Sequence, residues 1–281
     1  MKDQIDTGRI IQKLLLSQPI SIPVFHEVAL RLMQMMNDHS YRIEEAIKLV
    51  NEDTALASQM LRHANTTYNS GKTPITTIKN AIVRLGSQQI VNLAFTASMA
   101  NNKSDNPVIN TYLKRLWHHC HAVAITSAWL AVETSHGARN FDTNPDEVYL
   151  AGLLHGIGKL YLLKSMDNLI KAGIMQPDHS FIDEILEGHN IAQGVRVMQY
   201  WNIPKIYVNS LERHVSNNWK TGTNDYLVAA VRLSCKMHNY VENGIELEES
   251  GEASELVNDE LLFLDIDDAA YVYDMVKAIV D

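Results

Sequence analysis

Two consecutive stretches decide the fold: Glu52-Asp-Thr-Ala-Leu-Ala-Ser-Gln-Met-Leu-Arg-His-Ala-Asn-Thr-Thr-Tyr68, and Ile75-Thr-Thr-Ile-Lys-Asn-Ala-Ile-Val-Arg-Leu-Gly86. In the first, Asn51-Glu-Asp-Thr54 supplies short polar side chains able to cap a helix, and Leu56, Met60 and Leu61 follow at helical spacing. In the second, Ile75, Ile78, Ile82 and Leu85 recur every three or four residues until Gly86 interrupts them. Between the two lies Asn69-Ser-Gly-Lys-Thr-Pro74, a run of residues that favour turns over helix. The local reading is helix, loop, helix.

The same periodicity extends outward. Ile5, Ile11, Leu14 and Leu15 predict a first helix, and Val24, Val28, Leu32, Met35 and Met36 a second, beyond the loop marked by Pro19 and Pro23. Ile43–Val50 reads as helix by composition, and Ser87 to about Met99 carries another. The polar segment Asn101-Asn-Lys-Ser-Asp-Asn-Pro107 is the natural boundary, giving lobes of residues 1–105 and 106–281. Beyond it, helices are predicted over Tyr112–Glu133, Pro145 to about Leu163, Phe181–Trp201 with a weak point at Gly188, Pro204 toward His214, Asp225–Val241, and about Asp267–Val280. No alternating pattern bounded by hairpin turns competes, so the fold class is all-α.

Composition narrows the function. The net charge of −9 is uneven: residues 241–281 hold 13 acidic side chains against one lysine, leaving the rest of the chain at +3. That acidic end repels nucleic acid, and no basic run or stacking motif offsets it. The acidic Glu242–Glu255 run reads as a solvated loop. No stretch approaches the roughly 20 apolar residues of a bilayer-spanning helix, and the start shows no secretion signal, so a cytoplasmic protein with no membrane partner is expected. Cys120 and Cys235 are too few for a disulfide framework and are read as buried free thiols.

Histidines carry the chemical hint. His118, His119 and His121 lie on one predicted helix, His155 on the next, and His189 and His214 further on. Imidazoles from separate helices can build a metal centre, but sites for phosphoester hydrolysis usually include carboxylates to hold hard, hydrated ions. The window Ala151-Gly-Leu-Leu-His-Gly-Ile-Gly-Lys-Leu160 contains none. Cys120 adjoins histidines only in sequence, about 100° away around the helix, so no thiol-imidazole pair forms there. No phosphate-binding glycine loop is present.

The two opening stretches resemble the signature of the HDOD family, an HD-related output domain, whose pattern runs DPxLxxxLLRxAN and then IxxIxxAIxxLG. Thr54 stands at the family's proline and Thr66 at its serine. The second half is similar to the HD phosphohydrolase superfamily: Trp117-His-His119 resembles its first-histidine helix, Leu153-Leu-His-Gly-Ile-Gly-Lys-Leu160 its HDxGKL motif, and Trp201-Asn-Ile-Pro204 its WxLP turn. The likeness covers about Ile22 to Val241.

The resemblance implies an HD-domain-like helical bundle with an N-terminal helical lobe, in which the metal site is degenerate. The aspartate of the His-Asp pair is Gly156, the later histidine falls at Asn190 with His189 one residue out of register, and the late aspartate falls near Ser234 or Cys235. His119, His155, Gly156, Lys159, Asn190 and His214 are then the inherited site positions. The expectation is a non-catalytic bacterial signalling module, without cofactor, that contacts a signalling protein or a small ligand. In the ligand-binding form, Lys159, Arg213 or His214 would meet phosphate. The rival is a metal-dependent phosphohydrolase or phosphodiesterase. It would hold a divalent transition metal at His119, His155 and His214, or recruit His118 or His121 with Asp142 or Asp146.

Overall fold

The structure of the chain is a computed structural model that describes residues 12–16, 20, 25–37, 42–66, 74–135, 143–220, 222, 225–247 and 252–280. Among these there is no strand, and thirteen helices of eight residues or more account for most of the chain. The chain is all-α. Of the first predicted helix, Ile5 and Ile11 lie outside the described residues, as do Pro19, Pro23, Asp142 and the Asn69–Thr73 part of the breaker cluster.

The helices fall into two compact units, one formed by Pro23–Asn102 with Trp201–Ile203, the other by Met1–Ile22, Lys103–Tyr200 and Pro204–Asp281. Both are discontinuous, where the sequence reading drew a single cut between 105 and 106.

The smaller unit contains α1 (Glu27–Asn37), α2 (Ile43–Asn51), α3 (Thr54–Ala64), α4 (Ile78–Leu85) and α5 (Ser87–Ala100). The cap of α3 is Asp53, whose Oδ1 accepts from the backbone N–H groups of Ala55 and Leu56, both at 3.0 Å. Asn65 joins the ends of the loop: its Nδ2 donates to the carbonyls of Leu61 and Ile75, and its Oδ1 accepts from Ile75 N, all at 2.8 Å. Gly86 (φ 80°) takes the left-handed turn between α4 and α5. Leu32, Met60, Ile90 and Phe95 form the core, with Phe25 edge-on to Phe95 at 4.7 Å.

The larger unit is built on α6 (Pro107–Thr134), which opens with an Asn106 cap and Pro107 in its first turn. Around it stand α7 (Pro145–Leu154), α8 (Ile157–Lys171), α9 (His179–Tyr200), α10 (Lys205–Arg213), α11 (Asp225–Glu242), α12 (Glu252–Leu264) and α13 (Ala269–Val280). The single helix expected from Pro145 to Leu163 is broken at His155–Gly156 and then runs on to Lys171. Gly158, in the first turn of the second piece, packs against α9. Its backbone meets α9 so closely that a Cβ there would run into the Asn190 carbonyl oxygen and lie 2.8 Å from Gly194 N.

By contrast, Gly188 is no weak point: α9 passes through it unbroken, with open space around it. The acidic run is also not a solvated loop throughout. Although residues 248–251 lie outside the described residues, α12 begins at Glu252 and buries Val257, Leu261 and Leu264. Glu260, fully buried, accepts from Arg232 Nε at 2.7 Å and from Lys236 Nζ at 2.9 Å, which fastens α12 to α11. No helix among the described residues is long and apolar enough to cross a membrane.

Candidate functional site

The larger unit encloses a cleft of about 730 Å³ whose walls include His119, His155, Lys159, Asn190, His214 and Cys235. Five of the six inherited positions therefore meet in one place, and the sixth, Gly156, is buried at the turn between α7 and α8.

Each histidine is delivered by a helix or a helix end. His119 projects from the middle of α6, while His155 and His214 are the residues that close α7 and α10. Closing a helix gives a ring nitrogen access to a carbonyl of the last turn. Accordingly His155 Nδ1 donates to Gly152 O at 2.5 Å and His214 Nδ1 to Leu211 O at 2.7 Å. In a neutral ring that leaves Nε2 as the lone-pair atom, the arrangement found in metal-ligating and acceptor histidines.

Burial keeps these rings neutral. His119 is pushed down to about 3, by burial first and then by His238, Lys159 and His214. His214 falls to about 4, by burial, with the bond to Leu211 opposing it. His155 lies well below the usual histidine range, by burial and then by His119 and His214. The Cys235 thiol is raised to about 12 by burial, and Cys120 is raised in the same way, so neither offers a thiolate nucleophile at neutral pH.

α11 resolves where the late aspartate position points. Ser234 faces α6 and accepts from Ser127 Oγ at 3.0 Å in the core, whereas Cys235 faces the cleft. The ligand atoms of His119, His155 and Cys235 all lie within 4.8 Å of one another. His238 and Glu242, one and two turns further along α11, were not singled out by sequence. Their spacing from Cys235 (three and seven residues) already places all three on one face.

Other expected participants are elsewhere. His121 stacks on Trp117 at 4.7 Å, and His189 Nε2 is hydrogen-bonded to Gln12 at 2.8 Å. Asp146 belongs to the first turn of α7, and neither it nor His118 lines the cleft. Arg213 is held by Asp225 and the Trp219 carbonyl, largely buried, and does not line the cleft.

The chain matches the family model of the HDOD domain over residues 22–216. It belongs to the HDOD domain family. Solved structures share the HD-like helical fold. A candidate metal-dependent phosphohydrolase from Shewanella amazonensis SB2B superposes with a TM-score of 0.71 at 19% identity, covering 100% of both chains. An HDOD domain protein of unknown function from Geobacter sulfurreducens does so at 0.62 and 20%, covering 99% and 98%. A candidate signal transduction protein from Marinobacter aquaeolei VT8 gives 0.62 and 20%, over 98% of this chain and 63% of that one. Among curated proteins, an uncharacterized protein of Treponema pallidum (strain Nichols) is 22% identical over 201 residues. The match covers 69% of this chain but 37% of that protein, so the chain spans little more than a third of its relative.

The two-metal centre of HD phosphohydrolases does not fit this HDOD chain. Its His-Asp pair needs a carboxylate at residue 156, where a Cβ would overlap Cys120 Sγ and lie 3.0 Å from Leu116 Cδ1. Among the described residues, the metal-sized group around His155 is His119, His155 and Cys235, imidazole and thiol, and the cleft's carboxylates Asp183, Glu187 and Glu242 are not part of it.

Proposed function

We propose that this HDOD chain is a non-catalytic signal-transduction module that works by holding a small anionic ligand in the cleft of its larger unit. The observation that carries the first half is Gly156: the position of the essential carboxylate lacks the group, and any side chain there would have to displace the buried Cys120 Sγ. The second half rests on Lys159. It lines the cleft half-buried beside neutral imidazoles and makes no hydrogen bond or ion pair with any described residue. The cleft's carboxylates, Asp183, Glu187 and Glu242, form no ion pair with it; a half-buried ammonium without a direct partner is unfavourable, and an anion in the cleft would supply one. Arg115, also on the wall, adds a second cation with no ion pair among the described residues.

A thermal-shift titration with inorganic pyrophosphate and nucleoside mono-, di- and triphosphates tests the binding role. A ligand present at about 100 times its Kd stabilises by about 2.7 kcal/mol. The expected result is a concentration-dependent rise in Tm that Lys159→Ala weakens at least tenfold in apparent affinity. No shift with any of these anions, or a shift indifferent to Lys159→Ala, would rule the ligand reading out.

One observation favours the rival, a metal-dependent phosphohydrolase with replacement ligands: His119, His155 and Cys235 are close enough to share an ion. That reading requires metal-dependent turnover of a phosphoester, which the signalling reading forbids.

A further inference from the structure

A second group, sharing only His119 with the first and reaching the cleft wall through His119 and Glu242, makes a site of its own. His238 and Glu242 stand four residues apart on α11 and so face the same side, and His119 reaches them from α6. His119 Nδ1 lies 2.9 Å from His238 Nδ1, and His238 Nδ1 lies 3.4 Å from Glu242 Oε2. The ligand atoms of all three residues lie within 4.8 Å of one another.

Two imidazole nitrogens facing each other at 2.9 Å must share one proton, since two lone pairs or two N–H groups would repel. The neighbouring carboxylate is an acceptor only. Three lone-pair atoms therefore converge on a position served by a single proton, and a divalent cation there would satisfy all three. Ligands bonded tetrahedrally to zinc at about 2.0–2.2 Å sit about 3.3–3.6 Å apart; the 3.4 Å pair falls in that range, and the 2.9 Å imidazole pair would open by a few tenths of an ångström on binding. The His238 side chain is 2% exposed and Glu242 44%, so the buried nitrogen fixes the geometry while the carboxylate stands at the solvent side, where an ion can enter.

We infer that His119, His238 and Glu242 form a mononuclear site for a zinc-class divalent ion, its fourth position open to water or to an anion in the cleft. Two imidazoles and one carboxylate suit zinc better than magnesium or calcium, which take oxygen-rich sets. A single ion held this way anchors a ligand; it does not reproduce the two-metal phosphoryl clamp. The inference is independent of the non-catalytic reading, because it concerns metal binding and not turnover.

The test uses the full chain, stripped with chelator, then titrated with Zn²⁺ by calorimetry and with Co²⁺ by absorption spectroscopy. The expected result is one equivalent bound, visible Co²⁺ bands of a tetrahedral nitrogen and oxygen set, and no thiolate charge-transfer band in the near ultraviolet. Glu242→Gln should weaken Zn²⁺ at least tenfold and His238→Ala should abolish binding, while Cys235→Ser leaves it unchanged. Absence of binding, or affinity unaltered in Glu242→Gln, would overturn the site. A thiolate band lost in Cys235→Ser would overturn it too, by assigning the ion to His119, His155 and Cys235. Should His238→Ala fail to fold by circular dichroism, the isosteric and partly exposed Glu242→Gln variant decides alone.

Discussion

Replacing Gly156 by alanine isolates what the site can no longer accommodate. The new Cβ would overlap Cys120 Sγ and stand 3.0 Å from Leu116 Cδ1, and both neighbours are buried, at 0% and 7% exposure. Forcing a methyl group into such a packed place costs about 1–3 kcal/mol. The backbone itself raises no objection, since φ −91° and ψ 6° suit any residue, and removing glycine's freedom from the unfolded chain returns about 0.4–1 kcal/mol. The balance is a loss of about 1–2 kcal/mol, with Tm falling by about 2–4 °C per kcal/mol in a unit of this size.

The cause can be separated from the effect with Cys120→Ala, which deletes the overlapped sulfur. In a double-mutant cycle followed by urea unfolding and far-ultraviolet circular dichroism, the two substitutions should couple favourably by about 1 kcal/mol. Gly156→Asp should be less stable than Gly156→Ala and should show no phosphoesterase activity with added metal. If Gly156→Ala is as stable as the parent and uncoupled from Cys120→Ala, a side chain fits at 156 and the argument from lack of room fails.

Three further outcomes follow from named contacts. His119, His155 and His214 all titrate below the free imidazole value of about 6.5, so their neutral-state stabilisation is complete above that pH and is lost as pH falls toward the folded values of about 3 for His119 and about 4 for His214. Each ring then costs about 1.4 kcal/mol per pH unit, and urea midpoints should hold near pH 7 and drop steadily below about pH 6.5; a flat profile down to about pH 5 would contradict it. Glu260→Gln leaves the largely buried Arg232 without its carboxylate and should cost about 3–5 kcal/mol, whereas Glu255→Gln, on an exposed side chain, should stay within about 0.5 kcal/mol in the same unfolding assay. Gly158→Ala should be more damaging than Gly156→Ala, because its Cβ meets the backbone of α9 and not the end of a side chain; equal stability of the two variants would argue against that close approach.

Much of the fold was legible because it is written in local chemistry. The apolar spacing of α3 and α4 and the Gly86 turn can be read without a partner, although the capping role fell to Asp53 specifically and the bridging role of Asn65 needed the loop's two ends. The break at His155–Gly156 was not legible. Ala151–Leu160 is small and apolar apart from His155 and Lys159 and holds no proline or capping side chain to mark a break, while the close approach of α9 to Gly158 is a tertiary contact that sequence does not display. The helix that begins at the end of the acidic run, α12, had a signal in Val257, Leu261 and Leu264 at helical spacing, just past the run's last residue, Glu255.

For the site, the histidines of the family motifs converge on one cleft, whereas Arg213 and His189 are drawn away by partners that sequence does not reveal. His238 and Glu242 lie beyond the matched residues 22–216, so only their spacing on α11 could have disclosed them.

The central claim, that this HDOD chain signals without hydrolysing, is tested most directly by hydrolysis of a chromogenic phosphodiester and phosphomonoester by the full chain supplied in turn with Mn²⁺, Mg²⁺, Ni²⁺ and Zn²⁺. The account predicts that the parent and His155→Ala are indistinguishable at background rates with every ion. Metal-dependent turnover by the parent, abolished in His155→Ala, would contradict it.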